Sequence, residues 1–371
     1  MHGSPIQAEN APVILWLQGG PGDTSLFGLF AEHGPCSVSS NQTLEKRKYS
    51  WNINHNVIYI DSPVGTGYSF TNSDIAYARS VSDVAQGLYI ALVQFFKLFP
   101  KFQKNDFYVA GESYGGKYVP AISSKITAEN AKAQVKINLK GLSIGNGWSD
   151  PINQLDYGEY LYQIGLIDSN GKKEYETIET KTKDLIKNKN YIEADLVLTS
   201  ATILFEKLTG SNFLFNYLQW SAAGSDNRGS FSEWVQRSDV RKAIHVGNST
   251  FNSEARKVTA ILVNDILDSV AHLVAENLEK YRVLIYNGQL DIICGYPMTV
   301  NYLRNLKWSG AENYKTVERK QWWVGDELAG YSKSVGNLTE VLVRAAGHAV
   351  PIDQPKWAWD LITRLTHYKK F

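Results

Sequence analysis

Cysteine is almost missing: Cys36 and Cys294 are the only two in 371 residues. They can form at most one internal disulfide, and thiol count alone leans towards a reducing compartment. Net charge is missing too, with Lys+Arg 38 against Asp+Glu 37 and a formal charge of +1. No basic run or stripe stands out, which argues against nucleic acid as a partner. The longest apolar runs fall well short of a membrane span, which argues against a membrane-spanning role. The amino end, MHGSPIQAENAPVILWL, has neither a charged opening nor a long apolar core, so as it stands it is no secretory signal. HExxH and GxxxxGK(S/T) are absent, and GTGYSF and GNGWSD both fail GxGxxG. No metal or organic cofactor is expected from motifs of these kinds.

What is present is a large stock of apolar residues, 43% of the chain, enough for one large domain with or without an insertion. Trp 10 and Tyr 21 suit a lined pocket and equally an ordinary core. Three acceptor sequons, at Asn41, Asn248 and Asn337, point to a secretory route, against the thiol count. Composition leaves the compartment open.

Short β-rich runs recur at Val13 to Leu17, Val57 to Asp61, Phe107 to Ala110, Ile137 to Ile144, Val283 to Tyr286 and Glu340 to Val343. Several are near-continuously apolar, as in strands covered on both faces. Between two of them SVSDVAQGLYIALVQFFKLF sets Val84, Leu88, Leu92 and Phe95/Phe96 on one helical stripe, with Ser82 and Asp83 as cap candidates and Pro100 closing it. Strand, helix, strand in that order predicts a parallel α/β sheet. From about Asn153 to Asp239 strand-like runs are scarce and helical patterns such as GKKEYETIETKTKDLIKNKN dominate, interrupted by the polar SAAGSDNRGS. The organisation expected is an α/β domain over 1–152 and 240–371, carrying a helical insertion over 153–239.

One five-residue pattern raises a question of chemistry. GESYGG contains Gly111-x-Ser113-x-Gly115, and that pattern alone matches often by chance. Here Phe107 to Ala110 supplies a strand before it and KYVPAISSKI a helix after it. Strand, sharp turn and helix form the setting in which a serine Oγ is lifted out as a nucleophile and a helix N-terminus favours developing negative charge. A serine needs a base, and in such folds the order is Ser, acid, His. His348, in a glycine-containing loop just past a strand, fits better than His367 in the terminal WDLITRLTHYKKF. For the orienting acid, Asp291 after VLIYNGQL is preferred to Asp150 after GLSIGNGWS, because its strand is the one next before the histidine strand. An oxyanion hole would pair the N–H of Tyr114 with one from VILWLQGGPG, whose Gly19, Gly20 and Gly22 let backbone approach a ligand.

The blocks WLQGGPG, DSPVGTGYSF, GESYGG, GNGWSDP, NGQLDIIC and GHAVPIDQP, in this order from about Pro12 to the C-terminus, resemble the serine carboxypeptidase family, nearest its vitellogenic-like branch. The resemblance implies an α/β-hydrolase fold with a helical insertion, and acid-favouring removal of C-terminal residues from peptides. It implies Ser113 as nucleophile, Asp291 as orienting acid, His348 as base, and the Gly20 and Tyr114 amides as oxyanion hole. It also implies that Gln18, Glu112 and Glu32 hold the substrate's terminal carboxylate. Two glutamates beside a carboxylate make sense only as protonated donors. Peptide and protein C-termini are then the partners, in a secreted or lysosomal/endosomal setting.

Departures from the family pattern bear on detail. Gln18 replaces the usual asparagine, Asp23 stands where many members have a disulfide cysteine, and Ala349 replaces a methionine next to the histidine. The family also has strands before the point at which this sequence enters it, so one sheet edge near Val57 to Asp61 is expected to lack cover and to be prone to association. An esterase or acyltransferase using the same three residues, or a non-catalytic binding protein on this scaffold, are the alternatives.

Overall fold

The computed structural model describes residues 9–219 and 230–371. Most of the SAAGSDNRGS stretch and the first eight residues of the amino end lie outside the described residues. Among the described residues ten strands run in chain order: β1 (Val13–Leu17), β2 (Cys36–Val38), β3 (Leu44–Lys46), β4 (Asn56–Tyr59), β5 (Phe107–Glu112), β6 (Leu139–Gly145), β7 (Arg282–Gly288), β8 (Lys320–Val324), β9 (Glu327–Val335) and β10 (Leu338–Val343). β2 and β3 form a separate antiparallel hairpin. The other eight make one sheet in the order β4-β1-β5-β6-β7-β10-β9-β8. The six from β4 to β10 are parallel, and β9 and β8 add antiparallel to that side. Parallel pairing places the carboxyl ends of six strands along one edge, where ligands of such sheets bind. This is the mostly parallel sheet with flanking helices of an α/β-hydrolase.

Burial explains which strands could be read. β1 and β5 are buried at every position, hence their apolar runs. β8, KQWWV, buries only Trp322 and Val324, and β9 buries only Ala329, Gly330 and Ser332, so a search for continuous apolar runs passes over both. The strand read from Val57 to Asp61 is β4; among the described residues it pairs with β1 alone and forms a sheet edge.

The first crossover helix, α1 (Val81–Leu98), buries Val84, Ala85, Leu88, Leu92 and Phe96 along one stripe. Its cap is Ser80, not Ser82 or Asp83. Ser80 Oγ accepts from the Asp83 amide at 3.2 Å, while Asp83 reaches back to the Arg79 amide at 3.0 Å. Ser80 therefore satisfies an orphan donor of the first turn, while Asp83 ties down the amide of the residue before the cap, and the serine must precede the acid by three positions.

The second, α2 (Gly115–Asn130), contains Pro120, which cannot donate to the Gly116 carbonyl one turn back. Ser149 Oγ donates to that carbonyl at 2.9 Å instead. Between β6 and β7 the described elements are all helical, led by α3 (Tyr157–Gln163), α4 (Ser169–Lys187) and α5 (Tyr191–Thr209). Leu161, Tyr175, Ala201, Leu204 and Phe205 of these helices share a core with Ile292, the residue after Asp291. The sheet buries one face against α1 and α2, and the other against the last helix, Pro355–Thr366, with Trp16, Trp51 and Trp322.

Candidate active site

Ser113 follows β5 directly and has a φ of 57°, left-handed backbone that a side-chain-bearing residue adopts at a cost. The backbone holds it there. Its amide donates to the Gly145 carbonyl at 3.1 Å, and its carbonyl accepts from Gly116 and Trp148 at 2.9 Å each. The turn fits because β1 can press against it: a Cβ on Gly115 would lie 2.8 Å from the Leu17 carbonyl oxygen. Ser113 is thereby lifted partly into the open between buried neighbours.

The loops after β7 and β10 bring Asp291 and His348 together. His348 Nδ1 lies 2.8 Å from Asp291 Oδ2. Asp291 is fully buried, and it also accepts from Asn146 Nδ2 at 2.8 Å and from the Ile293 and Cys294 amides at 3.0 and 3.3 Å. With Asp291 as acceptor, Nδ1 carries the proton and Nε2 is left to accept one. His348 and Ser113 line the same cavity, and no hydrogen bond joins them among the described residues. In unliganded sites such bonds are often long and tighten only with substrate bound. Asp150 is elsewhere, bonded to Ser269 and Asn153 at 2.7 and 2.6 Å, and His367 caps the C-terminal helix beside His55.

Gly20, at φ 103°, begins the turn after β1, and Tyr114 follows Ser113. Among the described residues neither amide donates a hydrogen bond to protein, so both remain available to an oxyanion. Next to them Gln18 Nε2 donates to Glu112 Oε1 at 2.7 Å, and Gln18 Oε1 accepts from Trp16 Nε1 at 2.9 Å. Glu112 Oε2 is buried with no partner. Burial, and then Glu32, push the Glu112 carboxyl well above the ordinary range. Burial likewise pushes Glu32 up to about 7, although Glu112 and Gln18 lie near enough to lower it. Neither Glu32 oxygen makes a hydrogen bond of normal geometry. Glu32, expected at the substrate carboxylate, does not line the cavity; Gln18 and Glu112 do. Its place is behind them, at the end of a short π-helix that buries it completely.

Two cavities meet at Ser113. One, about 660 Å³, contains Gln18, Glu112, Ser113 and His348, with Asp23, Glu254 and several phenylalanines on its walls. The other, about 240 Å³, lies past Gly20 and Tyr114 among Trp148, Tyr157, Leu161, Tyr175 and Leu198. The ligand atoms of Asp291, Cys294 and His348 lie within 4.8 Å of one another, but burial holds the Cys294 thiol protonated and Asp291 is engaged by His348. That set is a poor cation site. Both cysteines are free. Of the sequon residues, Asn41, Asn248 and Asn337 are all exposed, but Asn337 Nδ2 donates to the Leu278 carbonyl at 2.8 Å.

Sequence reasoning passed over Asn146 as a partner of Asp291. The signal was the GNGWSDP block itself, at the carboxyl end of β6, where Asn146 takes a φ of 42°.

Comparison with known proteins shows the family. The family model described as serine carboxypeptidase matches residues 2–368. A venom serine carboxypeptidase of Apis mellifera is 57% identical over 98% of this chain and 79% of its own length. A probable serine carboxypeptidase of Homo sapiens is 44% identical over 98% of the chain and 78% of its own. The crystal structure of a prohormone-processing carboxypeptidase from Saccharomyces cerevisiae superposes with a TM-score of 0.85 at 26% identity, covering 97% of this chain and 83% of that one. The chain belongs to the serine carboxypeptidase family.

Proposed function

We propose that the protein releases the last residue of peptides through an acyl-enzyme on Ser113. The observation that carries this reading is the larger cavity, in which Ser113 and His348 share walls with Gln18 and Glu112. A buried carboxyl kept neutral is a donor, and a donor on the wall of a cavity beside a nucleophile suits a free terminal carboxylate.

In this reading the Gln18 amide and Glu112 Oε2–H hold that carboxylate, and Glu32 behind them opposes loss of the Glu112 proton. Ser113 Oγ attacks the carbonyl carbon of the last peptide bond as His348 Nε2 takes its proton. The oxyanion forms against the Gly20 and Tyr114 amides, and Asp291 stabilises the imidazolium. His348 gives the proton to the departing amine. Water, deprotonated by His348, then attacks the ester carbon and frees Ser113. The smaller, apolar cavity receives the side chain before the scissile bond. Its walls at Tyr157, Leu161, Tyr175 and Leu198 come from segment 153–239, which we read as an insertion on an α/β domain of 1–152 and 240–371. The sequons, together with a relative named as a venom protein, support our reading of a secretory-pathway setting, secreted or lysosomal/endosomal. No helix of the described residues is long and apolar enough to cross a membrane.

The test compares a free peptide with its amidated twin across pH. Ionisation of the Glu32/Glu112 pair as pH rises through about 7 would set negative charge against the substrate's own. The KM of the free peptide should therefore rise from acid to neutral pH, and that of the amide should not. Glu112→Gln should flatten the free-peptide profile. Labelling by an organophosphonate should map to Ser113. Identical profiles for the twins in the unmodified protein would refute the clamp, and label elsewhere would refute the nucleophile.

A further inference from the structure

The loop that carries Gln18 and Gly20 does not end in free space. Thr24 N donates to the Ser253 carbonyl and Ala255 N to the Gly22 carbonyl, each at 2.9 Å, which stitches the loop antiparallel to segment 252–255. In this stitch Asp23 stands directly opposite Glu254. Opposed residues of an antiparallel pair project to the same side, and like charges placed so repel each other. Both line the larger cavity. Among the described residues neither forms an ion pair or a side-chain hydrogen bond, and no Lys or Arg lines that cavity. The cavity's other carboxyls are already used. Glu112 accepts from Gln18, and Asp353 accepts from the Gly347 amide at 2.6 Å.

An acidic pair is not by itself a site. A second observation points to a ligand in this cavity: Glu112 is only 2% exposed, lines it, and its Oε2 makes no hydrogen bond of normal geometry. A ligand carboxylate at Glu112 places the adjacent side chain of the same residue along the wall that bears Asp23 and Glu254. Phe27, Phe213, Phe215 and Phe231 complete that space with apolar surface for a methylene stem and ring faces for a cation.

We infer that the leaving residue is selected for a cationic side chain, lysine or arginine, whose head sits between Asp23 and Glu254. This rests on the carboxypeptidase reading, because the clamp fixes which end of the ligand enters. Asp23 is the inner of the two, its carboxyl raised to about 6 first by burial, then by Glu254, against a lowering influence of His348. Its remaining titratable neighbour is the Tyr118 hydroxyl beneath it. A bound cation relieves both causes at once. Asp23 therefore offers a charge that is costly without a partner and favourable with one.

The experiment measures binding without turnover. Ser113→Ala protein is titrated with three blocked dipeptides, identical but for a final lysine, norleucine or glutamate, and with the amide of the norleucine peptide. At pH 7 lysine should bind about tenfold tighter than norleucine, and glutamate more weakly than either. Adding Asp23→Asn or Glu254→Gln should each shrink the lysine preference to within about threefold while leaving the norleucine Kd unchanged. Glu254 is exposed, so its variant tests the idea even where Asp23→Asn disturbs the loop. The lysine-to-norleucine ratio should also fall from pH 7 to pH 5 as Asp23 gains a proton. Both ligands carry the same carboxylate, so the clamp cancels from that ratio. Asp23→Asn should abolish that fall. Equal Kd values for lysine and norleucine, a preference that survives both substitutions, or no binding by any peptide would overturn the inference. Failure of the carboxypeptidase reading shows differently, as equal binding of the norleucine peptide and its amide.

Discussion

Asp291 holds His348 through one carboxylate oxygen, and three groups hold Asp291: the Asn146 side chain and the Ile293 and Cys294 amides. Backbone amides survive any substitution but proline, whereas the Asn146 contact is removed by truncating one side chain. Asn146→Ala should leave peptide KM nearly unchanged and lower kcat roughly 10- to 100-fold, because the imidazole loses its fixed orientation while the binding walls stay. A kcat equal to that of the unmodified protein would show that the two amides suffice. This dependence marks where sequence reasoning stops at the residue scale. Ser113 and His348 stand in patterns whose local geometry follows from glycine spacing and strand order. Asn146 has no pattern of its own, since an asparagine at a strand end is ordinary until a partner 145 positions away reaches it. Asp23 and Glu254 are similarly silent until the fold sets them opposite each other.

At the scale of elements, α2 shows a break in a helix repaired from outside it. Pro120 leaves the Gly116 carbonyl without its helical donor, and Ser149, on the loop after β6, supplies one. Ser149→Ala should destabilise the protein by about 1 to 3 kcal/mol, the usual cost of leaving a buried carbonyl unpaired. Pro120→Ala restores an N–H one turn on, so in its presence the Ser149→Ala penalty should shrink by half or more. Chemical denaturation of the four proteins of this cycle measures the coupling, and strict additivity would show that the bond contributes nothing. The sequence revealed α2 as a helix but not why its proline is tolerated. It revealed the parallel strands through their apolar runs. It hid β8 and β9 because strands at a half-covered sheet margin bury few apolar side chains, and it misplaced the cap of α1 by two residues because three hydroxyl or acid side chains crowd that turn.

For the whole molecule, buried titratable groups set how stability changes with pH. His33 and His55 are buried and their pKa values are lowered mainly by that burial, His55 to about 3. Below about 6.5 the unfolded chain binds protons that these rings refuse, so they cost stability as pH falls. The glutamate pair acts in the opposite direction. Glu32 is raised from 4.5 to about 7, and Glu112 is raised as well. Below pH 4.5 both states keep these protons and nothing is lost. Between 4.5 and 7 the unfolded chain releases protons that the folded one retains, so stability falls as pH rises through that window. A bare melting curve mixes the two effects, whereas the difference between the unmodified protein and Glu32→Gln cancels the histidines. Glu32→Gln should therefore gain stability relative to the unmodified protein as pH rises from 4.5 to 8, by on the order of 2 to 3 kcal/mol. Below pH 4.5 the difference should be flat. Denaturant titrations of both proteins across this range test it, and parallel curves from pH 4.5 to 8 would show that Glu32 is already ionised in the folded state. In that event the proton assigned to the clamp would have to reside on Glu112 alone.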